Sequence, residues 1–193
     1  RLRRWRHDLH QIPELGLQEH RTSDYVADAL AAMGLHVTRR IGGTGLVATV
    51  HGDVAGPGRA IALRADMDGL PLAERGDHLH RSRHDGVMHA CHDGHMAMVL
   101  GAGHVLAADG GFAGAVHLVF QPAEEHSLGA RAMIADGLFE RFPVEAIFGL
   151  HNHPGKPQQT FHFRAGAMMS ASDRVTITVK GRGGHAARPH MFG

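Results

Sequence analysis

The sequence predicts an α/β protein: a sheet covered by helices on both faces, followed by the start of a smaller α+β domain. Three observations predict it. Short apolar runs at 61–63, 116–120 and 146–150 each end on polar residues, as buried strands do. Helix-like stretches separate them, so strand and helix alternate. The last run, 174–180, instead alternates polar and apolar residues, the mark of a strand with one wet face.

Each element has a local reason. Arg1, Arg3, Arg4 and Arg6 read as the solvated face of a first helix. Thr22-Ser23 opens a second helix; Val26, Ala27, Leu30 and Met33 follow at helical spacing, and Gly34 stops it. Residues 35–38 and 46–50 read as strands around the Gly42-Gly43-Thr44-Gly45 turn, and 53–58 as another turn. Strand 59–65 follows, then a polar loop at 73–88. A helix is expected over 96–108, with Ala97, Leu100, Gly101 and His104 on one face and Gly101 and Gly103 permitting close packing. Strand 115–120, helix 128–136 closed by Gly137, and buried strand 146–150 complete the pattern. The expected division is 1–172 and 173–193, the second piece being the first strand and turn of a domain cut short.

Composition narrows the function. With 43% hydrophobic residues in 193, the chain can bury a sizeable core. A net charge of +1 gives no electrostatic case for nucleic acid or an anionic membrane. No run approaches the roughly 18 apolar residues of a membrane span, and the start lacks the apolar centre of a signal peptide. One cysteine cannot form an internal disulfide, so a reducing, cytoplasmic setting is expected. Of 19 histidines most need no special role; His20, His36, His78, His80 and His126 are expected to face solvent.

The chemistry sits where apolar runs stop. Open α/β sheets place ligands beyond the carboxyl ends of their strands. Asp66 and Asp68, Glu124-Glu125, and His151 follow three such runs, and Cys91, His92 and His95 precede the 96–108 helix. Carboxylates, imidazoles and a thiolate suit a divalent cation such as Zn²⁺ or Mn²⁺. Of two adjacent carboxylates, one can bind the cation while the other serves as general base toward a water whose pKa the cation lowers to about 7. Asp66 could bind a metal while Asp68 orients a neighbouring ligand. Each motif also has a plain reading. A Glu pair is usually solvated surface, Asp68-Gly69 is a turn dipeptide, and a lone Cys is most often a small buried apolar residue. A lone His such as His151 is more often packed than metal-bound, and His185 after Gly183-Gly184 reads equally as an oxyanion donor or a surface turn.

Taken together, seven stretches carry a resemblance. They are Arg6-His7-Asp8-Leu9-His10 with Pro13-Glu14-Leu15-Gly16, Leu63-Arg64-Ala65-Asp66-Met67-Asp68-Gly69-Leu70-Pro71, Met88-His89-Ala90-Cys91 and Phe120-Gln121-Pro122-Ala123-Glu124-Glu125. Gly129-Ala130-Arg131-Ala132-Met133-Ile134, Phe148-Gly149-Leu150-His151-Asn152 and Gly183-Gly184-His185-Ala186-Ala187 complete them. In this order they resemble the M20 metallopeptidase superfamily, in its amidohydrolase branch of hippurate hydrolases, N-acyl-amino-acid amidohydrolases and plant auxin-conjugate hydrolases. The resemblance implies a zinc-exopeptidase-like catalytic domain with a satellite domain, a homodimer, two divalent metal ions and a small N-acyl amino acid substrate. It implies Glu124 as general base; Glu125, Cys91, His92 and His151 as metal ligands; Asp66 where sister branches carry a ligand His; and His185 as the residue that polarises the scissile carbonyl. Asp68 is expected to join Glu124 and His185 as a catalytic residue, by orienting a neighbouring ligand. One departure stands out. The family's run is Cys-Gly-His-Asp-Gly-His, whereas Cys91 abuts His92, which rotates one donor relative to the other. The alternatives are a non-catalytic metal-binding or interaction fragment and a dipeptidase of a sister branch.

Overall fold

The chain forms helices α1 (Leu2–His10), α2 (His20–Ala31), α3 (His92–Asp109), α4 (Gly129–Ala135) and α5 (Leu138–Arg141). Its strands are β1 (Val37–Ile41), β2 (Gly45–His51), β3 (Ala60–Asp66), β4 (Ala115–Gln121) and β5 (Ala146–Gly149). The structure is a computed structural model and describes residues 1–169, 171, 173, 175–181, 183–185, 187, 188 and 190. Arg1–Pro154 is one compact unit and Gly155–Gly193 a second.

All five strands lie in one sheet, ordered β1-β2-β4-β3-β5. β1, β2 and β4 pair antiparallel, whereas β3 runs parallel to both β4 and β5. The chain leaves β3 for β4 on one side, then returns past β3 to β5 on the other. This reversal is a topological switch point, where an α/β sheet opens a crevice beyond its strand ends. Asp66 pairs with Gln121, so β3 and β4 end level at that rim.

Two apolar clusters sandwich the sheet. Leu9, Val26, Leu30, Met96 and Leu100 from α1, α2 and α3 bury one face against Leu46, Ala48, Leu118 and Phe120. Met133 and Leu138 cover the other against Val47, Ala62 and Val119. The expected double cover is therefore present. Gly101 and Gly103 admit Leu2 and Leu118, whose side chains a β-carbon would strike.

Some expectations need correcting. α2 begins at His20, ahead of Thr22-Ser23. α3 begins at His92 rather than at position 96, so the histidine cluster forms its first turn. β5 is not buried: among the described residues it pairs only with β3, and Ile147 and Phe148 are 44% and 55% exposed. An apolar run marks a strand but does not reveal whether neighbours flank it on both sides. His78 and His80 keep some solvent contact but are partly covered.

In the second unit, residues 175–180 form no strand, and Val175, Ile177 and Val179 are exposed. Alternation sets two faces, but a strand exists only through a hydrogen-bonded neighbour, and none is paired with it among the described residues. Arg174, Arg182 and Ala186 lie outside those residues. No described helix is long and apolar enough to cross a membrane.

Candidate metal centre

Four segments meet at the rim. β3 delivers Asp66 and then Asp68, both 1% exposed. β4 runs through Gln121 into Glu124 and Glu125, β5 into His151, and Cys91 sits at the N-cap of α3.

The turn after β4 is held from within. The amide of Ala123 donates to Glu19 Oε1 (2.8 Å), that of Glu124 to Asp68 Oδ1 (3.0 Å) and that of Glu125 to Asp68 Oδ2 (3.0 Å). Three consecutive N–H groups thus point inward to buried carboxylates. Ala123 adopts a left-handed φ of +44°, a conformation that costs about 1–3 kcal/mol and persists only where the surroundings enforce it. Gly129 closes the turn from behind; a β-carbon there would overlap the Pro122 carbonyl.

Imidazole orientation is fixed by second hydrogen bonds. His92 Nδ1 donates to the Asp68 carbonyl (2.8 Å), which leaves Nε2 facing Asp66 Oδ2 (3.5 Å) and Glu124 Oε2 and Glu125 Oε1 (each 3.8 Å). His151 Nδ1 donates to the Asn152 carbonyl (2.7 Å), freeing its Nε2. This is how ligand histidines are aimed. His95 Nδ1 donates to Asp66 Oδ1 (2.6 Å), and its other nitrogen meets Asn152 Oδ1 (2.8 Å). Arg64 pairs with Asp66 (2.8 Å) and holds Gln121 (3.0 Å).

Three donor groups result: Cys91, His95 and His151; His92, Glu124 and Glu125; and Asp66, His92 and His95. Within each, the donor atoms lie within 4.8 Å of one another. The first is sulfur and nitrogen, the second nitrogen and oxygen, and the third joins them. Such N, O and S sets fit divalent cations of borderline softness.

The electrostatics favour positive charge here. Burial opposes ionisation of Asp66, but the hydrogen bond from His95 and the charges of His92 and Arg64 outweigh it, and its pKa falls to about 2. Burial likewise disfavours charged imidazoles, yet Asp68, Cys91 and Asp66 raise His92 to about 11. His95 rises to about 9, with Asp66 the strongest force against burial. Burial alone would push the Cys91 thiol up, but His92 and His95 bring it below the usual thiol range. Burial pushes Glu125 up, as does crowding by Glu124 and Asp68, against the pull of His92. A carboxylate-rich pocket of this kind stabilises protons or a metal cation on the same nitrogens.

Residues 62–191 match Peptidase family M20/M25/M40. The chain belongs to this family. It is 46% identical to the hippurate hydrolase of Campylobacter jejuni over 185 residues, covering 95% of this chain and 48% of that protein. It is 40% identical to the N-acetyl-L-cysteine deacetylase of Bacillus subtilis over 187 residues, covering 96% of this chain and 44% of that one. Among solved structures it superposes on the Bacillus subtilis YXEP protein, a dinuclear metal-binding peptidase of the M20 family. That match has a TM-score of 0.75 at 38% identity, covering 81% of this chain and 43% of that one. The chain spans about half the length of the curated relatives it matches.

Within this M20 chain, the residues singled out in the sequence divide cleanly. Asp66, Asp68, Cys91, His92, Glu124, Glu125 and His151 converge at the rim. His185 is exposed in the second unit, its Nδ1 accepting from the Ala187 amide (3.2 Å). The contracted Cys91-His92 step places the two donors in different groups, and His95 stands in both groups that include an α3 histidine and either Cys91 or Asp66. His95 is the residue that motif reading underrated. One turn of helix separates it from His92, a signal available once α3 is started at His92. Glu19 is a second omission: it is fully buried, and nothing local marks a contact to Ala123, 104 positions away. Asn152 and Arg64 complete the surround.

Proposed function

We propose that this chain is the amino-terminal part of a two-metal amidohydrolase that cleaves N-acyl amino acids to a carboxylic acid and a free amino acid. The convergence of Cys91, His95 and His151 with His92, Glu124 and Glu125 at the strand ends carries this reading. The names of the Campylobacter and Bacillus relatives support the substrate class.

Cys91, His92, Glu125, His151 and Asp66 would hold two divalent ions, Zn²⁺ or Mn²⁺, with His95 alongside. Such ions supply Lewis-acid polarisation of the amide carbonyl and lower the pKa of water. Glu125 is the less exposed of the carboxylate pair and serves as a ligand; Glu124, with 41% of its side chain exposed against 30%, meets incoming water. Glu124 takes a proton from the attacking water and delivers it to the departing amine, so water and amide give acid and amine. Asp68 holds both glutamates by their amides and orients His92. By resemblance, His185 meets the scissile carbonyl across a homodimer, and residues 173–193 open a satellite domain after a catalytic domain over 1–172. A cytoplasmic setting accords with the single cysteine.

The test is hydrolysis of hippurate and N-acetyl amino acids, with a dipeptide panel beside them, by the metal-loaded chain. Glu124→Gln should keep the metal and lose about 10²–10⁴-fold in rate. Bound metal with no turnover of any acyl amino acid, unaffected by Glu124→Gln, supports the alternative, a non-catalytic metal-binding fragment; activity that survives Glu124→Gln removes that residue from its role as general base.

A further inference from the structure

A second group of donors lies away from the strand ends, where the 73–88 loop crosses α1. His7 and His10 are three residues apart on α1 and share a side of the helix. His10 Nδ1 donates to Asp93 Oδ2 (2.8 Å), so its Nε2 is aimed at Glu74 Oε1, 3.0 Å away. His78 Nε2 lies 3.0 Å from the same oxygen. The other Glu74 oxygen accepts from the Ser82 amide (2.6 Å), which turns Oε1 toward the two rings. His80 stacks on His7 at 3.8 Å between centroids, and its ring lies 4.2 Å from that of His78. Arg6 pairs with Asp93 from behind (2.8 Å).

We propose that His10, Glu74 and His78 form a second metal site, taking Zn²⁺, that pins the 73–88 loop to α1. Three arguments carry it. The donor atoms lie within 4.8 Å of one another and are two imidazoles and a carboxylate, a set that zinc accepts. The 3.0 Å donor separations need only a few tenths of an ångström of expansion to match the edge of a tetrahedron with bonds of about 2.0–2.1 Å. Asp93 behind His10 makes the carboxylate–histidine pair that fixes ligand rings, and Ser82 fixes the carboxylate. Water would complete the coordination, because His80 stacks on His7 and its Nε2 faces the Arg6 guanidinium (3.4 Å). A hydrogen-bonded pair of His10 and Glu74 would not need His78, yet His78 Nε2 meets the same Glu74 oxygen at 3.0 Å.

The test uses the whole 193-residue chain, stripped of metal and titrated with Zn²⁺ against a chromophoric chelator. His78→Ala/His80→Ala should lose one tight equivalent of zinc. Zinc should slow tryptic cleavage at Arg75, Arg81 and Arg83 at least fivefold in the parent chain and leave the variant unprotected. His78→Gln, which keeps the side chain's bulk, should weaken the same equivalent at least tenfold and serves if the double variant does not fold. Equal tight zinc and equal cleavage in parent and His78→Gln overturn the proposal, as does weak, saturation-free binding that marks adventitious zinc only. No proposed ligand is shared with the strand-end centre. A Cys91→Ser/His151→Ala chain should therefore keep zinc-dependent loop protection, so failure of one site is distinguishable from failure of the other.

Discussion

Asp68→Asn separates positioning from ligation. The Asp68 carboxylate accepts the amides of Glu124 and Glu125, one on each oxygen, at 3.0 Å. Asparagine is nearly isosteric but offers one oxygen and one NH₂, so one of the two amides loses its acceptor and faces a donor. A hydrogen bond to a charged group contributes about 1.5–3 kcal/mol, and a buried amide left without a partner costs a similar amount. The Pro122–Glu125 turn should then give way at one end and release one glutamate from its place beside His92. Removal of a group that orients a metal ligand lowers metal affinity about 10–100-fold, or about 1.4–2.8 kcal/mol, which matches the loss of one such bond. Competition with a chelator measures the affinity; urea unfolding in excess chelator measures the stability of the metal-free fold. Affinity should fall by that factor while the fold persists. An Asp68→Asn chain that binds metal within twofold of the parent refutes the idea that these two amides set the site.

The remaining predictions test the pocket's charge and its backing. Because Asp68, Cys91 and Asp66 raise His92 to about 11, and Asp66 and Cys91 raise His95 to about 9, their stabilisation of the metal-free chain is complete below pH 6.5, the ordinary histidine value. It is lost as pH climbs through those two values. The urea midpoint in chelator should fall across that range, and Asp66→Asn should flatten the fall. Asp66 itself, lowered to about 2, contributes above its ordinary 3.8 and loses that contribution as pH drops through 2. Gly129→Ala places a methyl on the Pro122 carbonyl and should weaken metal binding at least tenfold through the displaced turn; unchanged affinity would show that the turn can shift without consequence.

Much of the centre was legible because its donors sit where hydrophobic periodicity breaks. Asp66 ends its strand and Glu124-Glu125 and His151 follow theirs, and parallel strands of one sheet end at one rim, so separate motifs imply one place. The error at β5 has the same source: composition reports that a strand is apolar, not how many neighbours it has. The apolar periodicity begins at position 96, four residues after the helix itself, so it does not reveal the one-turn spacing of His95 from His92. Glu19, His78 and His80 were beyond local reading. Their roles arise from packing across the chain, Glu19 against Ala123 and the loop histidines against α1. Polar flanks made those histidines look like surface, although an imidazole bank on a neighbouring helix half-buries them.

The two acceptors that aim His92 and His151 are main-chain oxygens, those of residues 68 and 152. Every amino acid brings the same carbonyl, so no substitution at either position can delete it. The orientation of these rings is inherited through the path of the polypeptide rather than through its lettering. Drift in side chains therefore leaves these two acceptors in place, whereas an inserted or deleted residue, which moves the path itself, is the kind of change that can displace them.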